Sequence, residues 1–298
     1  MIACVQMKLA AEDYRTEKTF ETKIMGLMEQ IRRRSGKGQL LVVFPEHIGT
    51  FCLLCNEPDR VWSSKSFAQA ISRLVQANSV RIGYQKLLQR VSWVRALILV
   101  KSLEAERIYL STFQKAAREY GAWIVAGSAA LRWGETNKVY NTSPVVTPSG
   151  DIIYRQHKIY LVEMEEKNGL DLNAAPLNYT SAVRSPFGRL GIAICLDAFQ
   201  EKIWERHQGL GSEILIQPSA NNGPWDDWQR KDWLNSTYTA VYKKKIFSLG
   251  INPMLVGNLW DLKFEGQSGI VDQTGFAAQA KTHNEEEILL RKDLLNSV

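Results

Sequence analysis

Long apolar runs are missing from this chain. A bilayer-spanning helix needs about 20 consecutive apolar residues, and the nearest approach, VSWVRALILV at 91–100, is far shorter and carries Arg95. The opening MIACVQM has no basic segment followed by an apolar stretch and a small-residue cleavage site, so no secretory leader is expected. Cysteine is scarce, at four in 298 residues. That is too few for a disulfide framework and fits a reducing, cytoplasmic setting. Repeats, low-complexity tracts and linker-like stretches are also missing, so one domain over 1–298 is the expectation. With 45% hydrophobic residues the chain can bury a large core.

Charge is present but unevenly placed. The net charge is +6, and residues 57–110 hold nine basic side chains against four acidic ones. Two readings stand for this segment: a solvated helical face, or a surface for an anionic partner. Aromatic interleaving is sparse and no nucleic-acid motif accompanies the charge, which argues against nucleic acid as a partner.

Short β-branched runs recur at 2–7, 40–44, 123–126, 139–146, 151–154, 190–195, 214–217, 246–251 and 269–272. Several are bounded by turn signals such as Pro148-Ser149-Gly150 and Gln273-Thr274-Gly275. Helical periodicity lies between them. Residues 14–33 place Phe20, Ile24, Leu27, Met28 and Ile31 on one face, and 226–245 opens with Asp226 and Asp227 and closes on three lysines. Within 57–110, two amphipathic helices are expected, one carrying Phe67, Ile71, Leu74 and Val75, the other Leu87, Leu88, Val91 and Val94. Alternating strands and helices with hairpin-like pairs favour a layered α/β domain, with 57–110 as a helical insertion.

Two cysteine motifs compete for chemistry. Cys52-Leu53-Leu54-Cys55, with His47 upstream, has the spacing of a dithiol or half a zinc site. Zinc needs about four ligands, or three and a water. No second CxxC or HxxxH supplies them, and a leucine-filled interior suits two small core residues better. Cys195 differs. It follows the run Leu190–Ile194 and precedes a helical segment, so it sits on a turn where backbone N–H groups can polarise a substrate oxygen. Glu46 ends another apolar run and Lys158 a third. Charged residues also close strands for solubility, yet strands lying side by side would bring these three groups together at one sheet end.

The motifs in order resemble the nitrilase superfamily of carbon–nitrogen hydrolases over nearly the whole chain. They are IACVQM at 2–7, LVVFPE at 41–46, YNTS at 140–143 with PSGDIIYRQHK at 148–158, GRLGIAICLD at 188–197, QPSA at 217–220 and FEGQSGIVDQTG at 264–275. The resemblance implies an αββα sandwich that pairs through a second copy into a four-layer assembly, a homodimer or higher oligomer. It also implies a Glu46–Lys158–Cys195 triad and no metal or organic cofactor. A second active-site glutamate is implied past the lysine; Glu163, Glu165 and Glu166 occupy that stretch, and spacing favours Glu165. The reaction implied is cleavage of a non-peptide C–N bond through a thioester. A thiol with its ordinary pKa of roughly 8.5 must lose a proton to act, which assigns Glu46 as base. The Lys158 ammonium and the Leu196 N–H would face the forming oxyanion. Cys195-Leu196-Asp197 is similar to amidase branches rather than nitrile-cleaving ones, so an amide or N-carbamoyl substrate is expected. Asn221 and Trp225, after a strand end, are candidates for the pocket wall. The competing expectations are a nitrile substrate, acyl transfer to an amine, or an inactive scaffold that uses the basic insertion.

Overall fold

The computed structural model describes residues 1–292. Among these residues, ten strands form one sheet and six form another. The larger sheet is built around Ile2–Leu9, which runs parallel to Leu41–Val43 on one side and Met254–Leu259 on the other. Leu41–Val43 pairs in parallel with Trp123–Val125, and the antiparallel strands Val139–Val146 and Ile152–His157 follow. In the smaller sheet, Gly188–Ile192, Ile214–Ile216 and Leu249–Asn252 run parallel at its centre.

Period-two alternation explains how the layers stack. Ile2, Cys4, Leu41, Val43 and Val125 point to one side and meet Leu190, Ile192, Ile214, Ile216 and Ile251 of the other sheet. Ala3, Val5, Val42, Phe44 and Ile124 point the opposite way, into a core with Phe20, Ile24 and Met28 of helix Glu17–Ser35 and Phe113 of helix Trp93–Tyr120. The outer face of the smaller sheet, with Ala193, Leu215 and Val271, packs on Ile203, Trp204 and Val241. The architecture is helix, sheet, sheet, helix: an αββα sandwich. No helix among the described residues is long and apolar enough to cross a membrane.

Most expected elements form; the helix at 226–245 and the make-up of the insertion differ. The expected helix at 226–245 divides into an α-helix, Asp227–Trp233, and a π-helical turn, Thr239–Lys243. Asp226 caps the first by accepting the Gln229 N–H, and the turn at Leu234, Asn235 and Ser236 breaks the ladder before helical backbone resumes at Thr237. The insertion holds Asp59–Trp62, Phe67–Ala77 and Ser79–Gln89 rather than two helices, and its last part merges into Trp93–Tyr120. On Phe67–Ala77 the predicted face does pack: Leu74 is buried and Phe67, Ile71 and Val75 lie against the core. The second predicted stripe is split: helix Ser79–Gln89 stops at Arg90, whose φ is 53°, and Val91 and Val94 beyond it lie against the core. Leu87 and Leu88 are 80% and 59% exposed, while Ile82 is the residue turned inward.

Candidate functional site

Three chain segments converge where the two sheets meet. Strand Leu41–Val43 ends and Phe44 still donates its N–H to Val125 O. Pro45 then stops the ladder, because it has no N–H to give. The Pro45 carbonyl lies so close to Gly127 that a Cβ there would sit 2.0 Å from it, and Gly127 itself has φ +72°. Only glycine fits, and that close crossing sets Glu46 just beyond the strand end. His47 follows with a positive φ of 62°, its N–H donated to Ser128 Oγ.

Lys158 continues the pairing of Ile152–His157, donating its N–H to Asn141 O at 2.8 Å. Its side chain is fully buried, and Nζ lies 2.7 Å from Glu46 Oε1 and 2.6 Å from Glu165 Oε2. Asn141 Nδ2 bridges the same two carboxylates, at 2.9 Å from Glu46 Oε1 and 2.6 Å from Glu165 Oε1. The Ala220 N–H donates to Glu46 Oε2 and the Val162 N–H to Glu165 Oε2. Of the three glutamates in this stretch, Glu165 alone is buried; Glu163 and Glu166 are exposed. The two carboxylates share the Lys158 ammonium, and with His47 they form a trio whose ligand atoms all lie within 4.8 Å of one another.

Cys195 is placed by the smaller sheet. Past Ile192 the chain keeps parallel contact with its neighbour, through Ala193 N–H to Ile216 O and Cys195 N–H to Pro218 O. Cys195 then adopts a left-handed backbone, φ 49°, at the start of the turn Cys195–Phe199. Such a conformation costs about 1–3 kcal/mol in a non-glycine residue and is kept only where surroundings enforce it. Asp197, two residues on, accepts the N–H groups of Ile159 and Tyr160 at 3.1 and 2.7 Å. It ties the segment after Lys158 to the turn after Cys195.

Burial governs the protonation of this cluster. Removal from water pushes the Cys195 thiol well above its ordinary value; the Glu46 carboxylate adds to this, and Lys158 opposes it. The resting sulfur is therefore an S–H. Burial also disfavours the Lys158 charge, but Glu46 and the other anionic groups outweigh it and hold the ammonium above its usual range. For Glu165, burial is outweighed by Lys158 and His47, so its carboxyl stays below the normal range. Asp197 is raised to about 7 by burial, with the Tyr160 N–H and Lys158 pulling the other way.

A cavity of about 210 Å³ opens over Cys195, with Glu46, His47, Leu196, Asn221, Asn222 and Trp233 on its wall. Asn221, on the cavity wall, donates its side-chain amide to the Gly223 and Glu265 carbonyls. Trp225 is a correction. Its backbone N–H goes to Glu265 and its indole N–H to Gln267, and it lines a neighbouring cavity with Arg230 and Tyr238. Cys52 and Cys55 are buried and unbridged, in the core with Phe51 and Leu54. His47, paired with them in sequence as a zinc candidate, instead turns Nε2 toward Glu165 Oε1 at 3.3 Å. Asn141, Asp197 and this role of His47 were not singled out from sequence. A polar residue inside the run 139–146 was the available signal for the first.

Residues 1–292 match the family model for carbon-nitrogen hydrolases. The deaminated glutathione amidase of Rattus norvegicus is 24% identical over 179 residues, covering 57% of this chain and 54% of that protein. Omega-amidase NIT2 of Xenopus tropicalis is 27% identical over 135 residues, covering 42% and 48%. The matches thus span about half the length of these relatives. Among solved structures, Saccharomyces cerevisiae Nit3, a member of branch 10 of the nitrilase superfamily, superposes with a TM-score of 0.65 at 17% identity, over 97% of this chain and 88% of that one. An amidase from Nesterenkonia sp. AN1, with acrylamide added to its active-site cysteine, gives 0.63 at 14% identity, over 98% and 92%. The two solved structures share this fold, and the family match runs the length of the described residues: this chain belongs to the carbon–nitrogen hydrolase family.

Proposed function

We propose that this chain hydrolyses the C–N bond of a small-molecule amide or N-carbamoyl compound through a thioester on Cys195. The observation that carries this reading is that Glu46 and the strained Cys195 face one cavity, with the fully buried Lys158 ammonium 2.7 Å from Glu46 and near enough to act electrostatically on the Cys195 thiol. Because the thiol is protonated at rest, its proton must leave as the sulfur attacks. Glu46 takes that proton while the S–C bond forms and the carbonyl π pair moves to oxygen. Lys158 and the Leu196 N–H stabilise the resulting oxyanion, each worth on the order of a few kcal/mol. Collapse breaks the C–N bond, and Glu46 returns the proton to the leaving nitrogen. Water then attacks the thioester, losing a proton to Glu46; acid departs and the thiol is restored. Glu165 and Asn141 hold Lys158 and Glu46 in place through the bonds described above.

The test uses Cys195→Ala rather than a change in the ion-paired trio, because removing one partner of a buried pair costs about 3–5 kcal/mol and confounds folding with catalysis. Ammonia and free acid released from a panel of simple amides and carbamoyl amino acids should fall at least a thousandfold in Cys195→Ala, with an unchanged melting temperature. The Cys52→Ala, Cys55→Ala double variant should keep turnover. An active Cys195→Ala, or a dead double variant that still folds, sinks the assignment. Ammonia released only when an amine is added, with an N-substituted amide in place of free acid, would point to acyl transfer instead.

A further inference from the structure

A second cavity, about 330 Å³, lies next to the first, between the turn Thr50–Leu54, helix Phe67–Ala77 and the first turns of Trp93–Tyr120. His47 and Met164 line both cavities, so they form the threshold between them. The second cavity is apolar: Phe51, Leu54, Phe67, Ile71 and Leu97 dominate, and no Asp, Glu, Lys or Arg is on its wall. Its polar members are mostly occupied with each other. Thr50 Oγ1 accepts the Ala130 N–H at 3.0 Å and lies 3.1 Å from His47 Nδ1. Protein interiors are close-packed, and an apolar space of this size beside reacting groups matches the size and lining of ligand pockets. The first cavity also lacks Arg or Lys on its wall, so a substrate carboxylate finds no exposed cationic side chain in either.

We propose that this cavity is the acyl-chain subsite of the centre at Cys195, and that the substrate is the amide of an uncharged medium-chain or aryl-substituted acid. The proposal rests on the thioester reading above. The acyl chain, not the amine, is the natural occupant, because it stays attached to sulfur through both half-reactions. Binding energy spent on it therefore serves both transition states, whereas the amine leaves after the first. Met164, unbranched and flexible, forms an adaptable lip for such a chain.

The experiment has a kinetic arm and a binding arm. Wild-type kcat/KM is measured for acetamide, butanamide and hexanamide, with N-butylacetamide as the control that moves the apolar chain to the amine side. Each added acyl methylene should raise kcat/KM by about fourfold. Adipamic acid, which puts a carboxylate at the chain end, should be cleaved at least tenfold worse than hexanamide. Ala68→Trp, a change at the cavity rim, should bring the hexanamide-to-acetamide ratio toward one, with folding checked by its melting temperature. The binding arm titrates hexanamide and acetamide into Cys195→Ala by calorimetry, and hexanamide should bind at least tenfold tighter. A flat acyl series, a preference for N-butylacetamide over hexanamide, or equal binding of both amides to Cys195→Ala overturns the subsite. Absence of any amide turnover defeats the hydrolase reading instead, and the binding arm then still decides the subsite.

Discussion

Lys158 shows how a residue can be plain in the sequence while its surroundings are not. It closes a β-run, as Glu46 and Cys195 do, and such positions stand out because a charged or reactive group follows several apolar ones. What lies behind it is invisible at that level. Asn141 bridges the two carboxylates from a neighbouring strand, and Ala220 contributes only a backbone N–H. Ala220 has no composition signal that separates it from an ordinary strand residue, and Asn141 has only its polarity inside the run 139–146. Trp225 fails for a related reason: distance along the chain from a strand end does not say which way a side chain turns. Asp197 gives a residue-scale prediction. Its folded pKa of about 7 exceeds the model-peptide value of 3.8, so between these limits the native state holds a proton that the unfolded chain has released. Stability from this group is then complete below about pH 4 and lost as pH rises through 7. Asp197→Asn keeps an oxygen to accept the Ile159 and Tyr160 N–H groups and has nothing to titrate. Urea unfolding should show the variant gaining on wild type by on the order of a few kcal/mol between pH 4.5 and pH 8. A gap that is constant with pH, or that narrows, would show that the carboxyl is ionised throughout.

Elements were legible in proportion to how well their periodicity met a partner. Helix Glu17–Ser35 buries Phe20, Ile24, Leu27, Met28 and Ile31, the stripe its spacing announces, and strand Val139–Val146 has the boundaries its sequence suggests. The second stripe predicted within the insertion is divided by the end of helix Ser79–Gln89 at Arg90: Val91 and Val94 pack against the core, and Leu87 and Leu88 do not. Periodicity reports that one face is apolar, not that a surface exists to cover it. Strands such as Ala182–Ser185 and Glu287–Arg291 were missed because runs of four and five residues (AVRS and EILLR) show too little alternation, and long-range pairing makes them strands. The contrast within the insertion is measurable. Leu87→Gln with Leu88→Gln should change unfolding free energy by no more than about 0.5 kcal/mol, as for other surface changes. Leu74→Ala, at a fully buried position one helix earlier, should cost about 2–5 kcal/mol. A costly double variant would mean that the exposed stripe is covered in solution.

At the scale of the molecule, the decisive fact is that the cluster draws on both sheets. Glu46, Lys158 and Asn141 hang from the larger sheet, while Cys195 hangs from the smaller one. Their approach therefore depends on the apolar layer between the sheets and on the Asp197 tie, and far less on the helices outside. The alternation of Ile2 and Cys4 against Ala3 and Val5 already implies two packed faces, so the layering was readable; which strand ends oppose each other across the seam was not, since no local pattern encodes sheet-on-sheet alignment. Two equal truncations separate the layers. Ile24→Ala removes a fully buried side chain from the helix–sheet core, and Ile192→Ala removes one from the inter-sheet core three positions before Cys195. Each should cost about 2–5 kcal/mol by transfer and cavity terms. Only the second lies in the layer that sets the distance between Cys195 and Glu46, and in the proposed reaction a misplacement of about 1 Å can cost on the order of a hundredfold in rate. At a temperature where both variants remain folded by circular dichroism, Ile192→Ala should lose at least tenfold in kcat/KM while Ile24→Ala stays within about twofold of wild type. Equal losses would mean that the seam between the sheets does not hold the geometry, and that the cluster is kept in place by its own hydrogen bonds alone.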